Sequence, residues 1–265
     1  MLRHAYSFFW FAVATNWIAP VFIAFVLIAT GCRPNRTDLD TDHVVRQVWE
    51  MDDVAFGDIV QFENVFWEPD DTISLRRMII DDNLVNGRDV LEIGTGTGLL
   101  AIVCLQNGAD SVLATDVNPA AIANAKYNAA MLETEKNLQL RLVPKSSQGA
   151  FDVLRNDEAF DVILSNPPWE DGTIHEDLDH AFYDPGFALM DSLLQGLPKR
   201  LRPGGRCLVV YGNVSAIKRL REQSTARGIG FKILDERSLD DLEENFLPGM
   251  LIELTPKPLD AETDR

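Results

Sequence analysis

The chain has 265 residues, of which 46% are hydrophobic and 25% charged, an ordinary composition for a globular protein that excludes a disordered or collagen-like chain. Its length suits one well-buried α/β domain with an extension. The 24 Lys and Arg residues stand against 41 Asp and Glu residues, and the net charge of −17 repels phosphate, so nucleic acid is disfavoured as a partner.

The first 32 residues form a distinct apolar segment. No charged residue occurs between Ala5 and Cys32, and the run over residues 8–29 is long enough for one membrane-spanning helix. One arginine precedes the run and three follow it before residue 47, which favours an uncleaved anchor with the next domain in the cytoplasm. We therefore predict a membrane-associated protein, anchored through residues 8–29, with residues 33–51 as a linker.

Two alternatives stay open for this segment. The sequence from Leu27 to Cys32 resembles a bacterial lipoprotein signal, with a small residue before the cysteine, so the protein could be lipidated at Cys32. Translation from Met51 would leave the segment out altogether.

Residues 52–265 are predicted to form one α/β domain, because short apolar runs alternate with helical patterns. Helices are predicted at 71–84, 99–107, 119–131, 183–201 and 215–227. Strands are predicted at 89–93, 111–115, 138–143, 160–164, 206–211, 231–235 and 250–254. Seven strands at this spacing predict a doubly wound, mostly parallel sheet, preceded by the N-terminal hydrophobic helix.

A glycine-rich loop follows the first of these strands. Gly94, Gly96 and Gly98 alternate with threonines directly before a predicted helix. Glycines allow a sharp backbone turn and the close approach of a ligand. Asp116 ends the next strand, where its carboxylate can accept both hydroxyls of a ribose. The pattern predicts a site for a nucleotide-like ligand.

The spacing within the loop discriminates between cofactors. A dinucleotide fingerprint needs its third glycine five positions after the first, where this chain has Leu99. A phosphate-binding NTP loop needs a lysine after the glycines, which is missing here. Glu92, two residues before Gly94, could attract an ammonium group. These features predict S-adenosylmethionine, held by Glu92, Gly94, Gly96, Gly98 and Asp116.

The fourth strand ends in the sequence Asn166-Pro167-Pro168-Trp169. An amide or aromatic amine is a poor nucleophile because its lone pair is delocalised. The Asn166 side-chain oxygen and the Pro167 carbonyl could accept its two N–H groups and aim the lone pair at a methyl group. Trp169 could stack on the planar group. This is catalysis by positioning and fixed dipoles.

A metal-like pattern occurs just beyond this motif. His175 and Glu176 are followed by Asp179 and His180, whereas a zincin helix needs its second histidine at position 179. We interpret the stretch as an acidic loop and predict no metal site.

Together, the Asn-Pro-Pro-aromatic motif and the lead-in Glu68-Pro69 with Asp71-Thr72 resemble the HemK-type glutamine methyltransferases of release factors and the wider methyltransferase small domain group. This resemblance implies a class I, Rossmann-like S-adenosylmethionine-dependent methyltransferase fold. It implies cofactor contacts from Thr72, Glu92, Gly94, Asp116 and Asn166, and a substrate amide held by Asn166, Pro167 and Trp169. The shorter form of the family, which is nearer to this chain, implies a small partner subunit.

Three functions follow as hypotheses. The favoured one is an N-methyltransferase acting on the amide nitrogen of a glutamine in a protein substrate. The alternatives are an RNA or DNA exocyclic amino-group methyltransferase, which fits the motif but not the charge, and a non-catalytic, membrane-tethered module that binds S-adenosylmethionine.

Overall fold

The computed structural model describes residues 38–39, 42–147, 149–242 and 246–256, without the side chains of residues 246 and 247. All of these residues belong to the compact unit Thr37–Arg265. The predicted anchor or signal segment 1–32, with its hydrophobic helix, lies outside the described residues.

Nine strands occur in the described residues. They are β1 (Val45–Trp49), β2 (Ile59–Phe62), β3 (Asp89–Ile93), β4 (Ser111–Asp116), β5 (Leu138–Leu142), β6 (Phe160–Ser165), β7 (Leu201–Asn213), β8 (Gly230–Ile233) and β9 (Phe246–Thr255). Seven of them form a sheet in the order β5-β4-β3-β6-β7-β9-β8. All pairs are parallel except those of β9, which runs antiparallel to β7 and β8. The predicted doubly wound, mostly parallel sheet is confirmed.

Within the described part of the chain, five α-helices flank this sheet: α1 (Ile73–Asp81), α2 (Leu99–Gln106), α3 (Pro119–Met131), α4 (Ala188–Arg200) and α5 (Val214–Ala226). Successive strand residues point to opposite faces, so the sheet supports two separate apolar cores. Val90 and Val162 pack with α1 and α2 in one core. Leu91 and Ile163 pack with α4 and α5 in the other. The carboxyl ends of β3, β4 and β6 are therefore held side by side at one edge.

A two-stranded hairpin precedes the sheet, and its first strand lies within the predicted linker. Strand β1 pairs with β2, and β2 is tied to α3 by two fully buried asparagines. Asn128 accepts the Val60 N–H at 2.9 Å and donates to the Val60 carbonyl at 2.8 Å, while Asn124 accepts the Phe62 N–H at 2.8 Å. The residues of β1 are largely exposed, so they lack the apolar pattern that would predict a strand.

Two predicted helices begin later than expected. Residues 69–72 form a 3-10 turn before α1. Gly186 and Phe187 have φ values of +63° and +57°, which end any helical path before α4 begins at Ala188. The Pro203-Gly204-Gly205 sequence lies within the long strand β7, which begins at Leu201 and not at the predicted residue 206.

The predicted membrane-associated localisation is wrong. In the part of the chain that the structure describes, no helix is both long and apolar enough to cross a bilayer. The most apolar helix, α2, has eight residues, whereas a span needs about 20. Residues 8–29, on which the prediction rested, lie outside the described residues.

Candidate active site

A cavity opens at the sheet edge where β3, β4 and β6 end. Five of the predicted site residues line it: Gly94, Gly96, Asp116, Asn166 and Pro167. Thr72, Glu92, Gly98 and Trp169 are not part of its lining. The glycine loop and the Asn-Pro-Pro motif, more than 60 residues apart in sequence, thus face one space.

The three loop glycines all adopt left-handed backbone conformations. Their φ values are +80° at Gly94, +54° at Gly96 and +86° at Gly98. A Cβ at Gly94 would enter open space, which leaves room for a ligand against the backbone. A Cβ at Gly98 would lie 3.0 Å from the Cα and Cβ of Ala125, so this glycine allows α2 to pack closely on α3. The loop therefore combines a ligand cradle with a helix contact.

The Asp116 carboxylate holds the glycine loop at the cavity wall. Its Oδ2 accepts the Gly96 N–H at 2.9 Å, and its Oδ1 accepts the Asn118 N–H at 2.8 Å. Burial raises the pKa of Asp116, against the opposing effect of these two N–H groups and that of Val117. A half-buried carboxylate with remaining acceptor capacity suits a pair of ribose hydroxyls.

Glu92 is buried between the glycine loop and the start of α2, with 2% of its surface exposed. The Thr95 hydroxyl donates to its Oε2 at 2.7 Å, and the Ala101 N–H also bonds to it. Burial raises the pKa of Glu92 to about 8, and the neighbouring Asp116 adds to the rise. These contacts stabilise the glycine loop. A contact between Glu92 and an ammonium group of the cofactor stays a prediction.

Thr72 is engaged in a local network away from the cavity lining. Its hydroxyl donates to the Pro69 carbonyl at 3.2 Å and accepts from Arg76 Nη1 at 2.6 Å. Arg76 also pairs with Asp53. This network fixes the 3-10 turn before α1, and a cofactor contact from Thr72 stays a prediction.

Asn166 combines burial with an unused acceptor. Its side-chain Oδ1 is buried and has no hydrogen-bond partner among the described residues. Leaving a buried acceptor unpaired costs about 1–3 kcal/mol, so such an atom in a cavity wall indicates a partner supplied from outside the chain.

Trp169 follows this turn and is not part of the cavity lining. Its indole N–H donates to the Val210 carbonyl at 3.2 Å, and its ring packs against both apolar cores. The structure thus brings Trp169 close to β7 and not into the cavity lining, where the predicted stacking would require it.

Comparisons with known proteins bear on this site. The family model for ribosomal protein L11 methyltransferase (PrmA) matches residues 71–167. A relative from Methanocaldococcus jannaschii, named as a protein N5-glutamine methyltransferase, is 33% identical over 175 residues, which cover 63% of this chain and 81% of that protein. Because this chain covers 81% of the M. jannaschii protein, it belongs to the same methyltransferase family as that protein.

A second curated relative and a solved structure are also similar to this chain. A release factor glutamine methyltransferase from Cereibacter sphaeroides is 37% identical over 135 residues, and the match spans 46% of each protein, so this chain covers less than half of that relative. The solved T. thermophilus 16S rRNA N2 G1207 methyltransferase, in complex with AdoMet and guanosine, matches at a TM-score of 0.54 and 18% identity, over 81% of this chain and 51% of that one. This second likeness shows the fold alone. The protein is an S-adenosylmethionine-dependent methyltransferase, and S-adenosylmethionine is its cofactor.

The methyltransferase cavity also includes residues that the sequence analysis did not assign to the site. Phe66, Lys145 and Tyr183 contribute to its lining, as does His180, which was interpreted as part of an acidic loop. Lys145 pairs with Asp177 at 2.5 Å, which joins the segment after β5 to the segment after β6. No local motif marks these positions. The sequence indicated only that an acidic loop lies beside the site.

Asp184 follows that loop and is almost completely buried. Its two oxygens accept the N–H groups of Leu189 and Met190 at 2.9 and 3.0 Å, at the start of α4. Burial raises the pKa of Asp184 despite these bonds. Asp184 therefore anchors the start of α4 and also lines the cavity.

Proposed function

We propose that this methyltransferase transfers a methyl group to the side-chain amide nitrogen of a glutamine in a protein substrate. The observation that carries this proposal is the buried, unpartnered Oδ1 of Asn166 in the wall of the cavity that Gly94, Gly96 and Asp116 also line. A primary amide has two N–H groups, and one of them can satisfy this acceptor.

The chemistry of an amide explains why such acceptors are needed. The nitrogen lone pair is delocalised into the carbonyl, so the group attacks a methyl donor poorly. Asn166 Oδ1 and the Pro167 carbonyl accept the two N–H bonds, which raises the electron density on nitrogen and fixes the direction of its lone pair. Fixed dipoles of this kind stabilise the charge that develops in the transition state and need no reorganisation during the reaction.

The cofactor half of the site follows from the glycine loop. S-adenosylmethionine, when bound, would supply an electrophilic methyl group and leave as the neutral thioether, and the methylated nitrogen would lose one of its two protons to solvent. Gly94 and Gly96 give it access to the backbone, and Asp116 accepts its ribose hydroxyls. The open space at Gly94 and the remaining acceptor capacity of Asp116 support this assignment.

Two further observations favour a protein substrate. The relatives from M. jannaschii and C. sphaeroides carry names that state glutamine methylation. The net charge of −17 opposes the approach of a polyphosphate chain. The small partner subunit implied by the family resemblance stays a prediction.

The chemistry of the product gives a direct test. Purified full-length protein is incubated with methyl-labelled S-adenosylmethionine and fractionated lysate, and labelled protein is separated from labelled RNA. Acid hydrolysis of an N-methylated amide releases methylamine, whereas a methylated lysine stays intact. We expect label in protein that is released as methylamine. Label confined to RNA, or protein label that resists hydrolysis, would contradict the proposal.

A variant pair then connects the product to the site. Asn166→Ala should lower turnover by about a hundredfold or more, as expected when one transition-state hydrogen-bonding group is lost. Its affinity for S-adenosylmethionine should change far less, because the acceptor is used mainly with substrate present. Asn107→Ala is the matched control, since the Asn107 side chain bonds only within the C-terminal end of α2, to the Val103 carbonyl. Equal turnover in the two variants would refute the role of Asn166.

A further inference from the structure

We propose that Trp169 is a positioning residue, which holds the Asn166-Pro167-Pro168 turn in place by bonding to strand β7, and that it provides no stacking surface for the substrate. The inference rests on the proposed function for the identity of the acceptor amide. It reverses the role that the motif alone predicts for this side chain.

The first support is the place where the β6–β7 ladder stops. The last paired residues are Ser165 on β6 and Val209 on β7. Val210 follows on β7 and is almost completely buried. The Trp169 indole N–H donates to its carbonyl at 3.2 Å. The indole therefore satisfies a backbone acceptor one residue beyond the end of the ladder, where an unpaired buried carbonyl would be costly.

The second support is a matching bond at the start of the turn. The Ser165 hydroxyl donates to the Ile93 carbonyl on β3 at 2.7 Å. Strands β3 and β7 are the two neighbours of β6 in the sheet. The turn is thus fastened to one neighbouring strand before Asn166 and to the other neighbouring strand after Pro168.

The third support is the stiffness of the chain between these two bonds. Each proline fixes its own φ near −65°, and Asn166 and Pro167 each precede a proline, which restricts their ψ values to the extended region. Because this segment has few free dihedral angles, the positions of its two ends determine the position of its middle. Fixing Trp169 therefore fixes where Asn166 Oδ1 points.

Packing and exposure agree with this role. Trp169 is half-buried and packs against the apolar cores on both faces of the sheet, whereas Asn166, Pro167 and Pro168 line the cavity. A stacking residue would face the cavity that the substrate enters. The indole instead packs against protein side chains.

Trp169→Phe separates the two roles, because it keeps an aromatic ring that could stack while it removes the N–H donor together with the second ring of the indole. We expect turnover to fall about tenfold or more, since small misplacement of a catalytic group is costly, while the KM for the protein substrate and the Kd for S-adenosylmethionine stay within about twofold. Trp49→Phe is the matched control. The Trp49 indole also donates at 3.2 Å, to Gln61 Oε1, and Trp49 does not line the cavity.

Ser165→Ala removes the bond at the other end of the turn and provides a second variant if Trp169→Phe folds poorly. It should give the same loss of turnover at unchanged KM. The fluorescence of Trp169 is the difference between the emission of wild type and that of Trp169→Phe. This difference should not change when substrate binds, because the indole does not contact the substrate.

Three results would overturn the inference: full turnover in folded Trp169→Phe, a raised KM at unchanged turnover, or quenching of the Trp169 emission by substrate. The proposed function fails on a separate measurement, the identity of the methylated atom. If wild type methylates another acceptor, turnover and KM of Trp169→Phe are measured with that acceptor. Lower turnover at unchanged KM would then still show that Trp169 positions the turn.

Discussion

Removal of the Asp116 carboxylate should weaken cofactor binding more than any other single change in the cavity wall. Asp116 accepts one backbone N–H on each oxygen, from Gly96 at 2.9 Å and from Asn118 at 2.8 Å. An ionised carboxylate offers about four lone-pair positions, so capacity remains for the ribose. Asp116→Ala removes the ribose acceptors and also releases the loop that carries Gly96.

The magnitude follows from the strength of hydrogen bonds to charged groups. One such bond contributes about 1.5–3 kcal/mol, which corresponds to a Kd increase of roughly ten- to 150-fold. The released N–H groups of Gly96 and Asn118 add a loss of folding stability on the order of 1 kcal/mol. We therefore expect weaker S-adenosylmethionine binding together with a modest fall in Tm.

Isothermal titration calorimetry with S-adenosylmethionine measures the affinity, and circular dichroism establishes that the variant is folded. Asp235→Ala is the control, because Asp235 also accepts a backbone N–H, that of Arg237 at 2.9 Å, but does not line the cavity. A folded Asp116→Ala variant with the wild-type Kd would refute the ribose role. An equal loss in Asp235→Ala would show that the effect is one of general stability.

Two further predictions concern the loop and its support. Burial raises the pKa of Glu92 from 4.5 to about 8, so the stabilising contribution of the protonated Glu92 is fully present below pH 4.5 and is lost as the pH rises through 8. The Tm of Glu92→Gln, which carries no charge, should therefore rise relative to that of wild type between pH 5 and pH 8. Equal pH dependence of the two Tm values would contradict this. Gly98→Ala should destabilise by about 1–2 kcal/mol for its φ of +86° plus a similar amount for the contact with Ala125. Gly87 has a φ of +66° and open space around its Cβ, so in denaturant unfolding Gly87→Ala should lose only the backbone contribution to the free energy of unfolding. Equal losses of unfolding free energy in the two variants would rule out the packing effect.

The cofactor half of the fold could be predicted because its signals are local. Helix α3 begins and ends where the sequence predicted, at Pro119 and Met131, since Asn118 caps it by accepting the Ala120 N–H at 2.9 Å and proline suits its first turn. The glycine loop follows β3 directly for the same reason: a strand, a turn that needs positive φ, and a helix start lie within a dozen residues. Spacing along the chain is sufficient information there.

The surroundings of two predicted site residues depend on contacts across the fold. Glu92 precedes the loop at a spacing that suits a ligand contact, and in the fold it also bonds to the Thr95 hydroxyl and the Ala101 N–H. Trp169 follows the Asn-Pro-Pro motif at a spacing that suits stacking, and in the fold its indole N–H donates to the carbonyl of Val210, 41 residues later. None of these partners can be read from the motif itself.

The acidic loop after β6 illustrates how charge in a sequence can have a structural origin. Asp171 accepts the Gly186 N–H at 2.8 Å, and Asp179 accepts two N–H groups of its own turn at 2.7 and 2.9 Å. Asp184 does the same at the start of α4. These carboxylates satisfy backbone donors that a compact loop would otherwise leave unpaired. The loop can therefore keep its shape before substrate arrives, which lowers the ordering cost of binding.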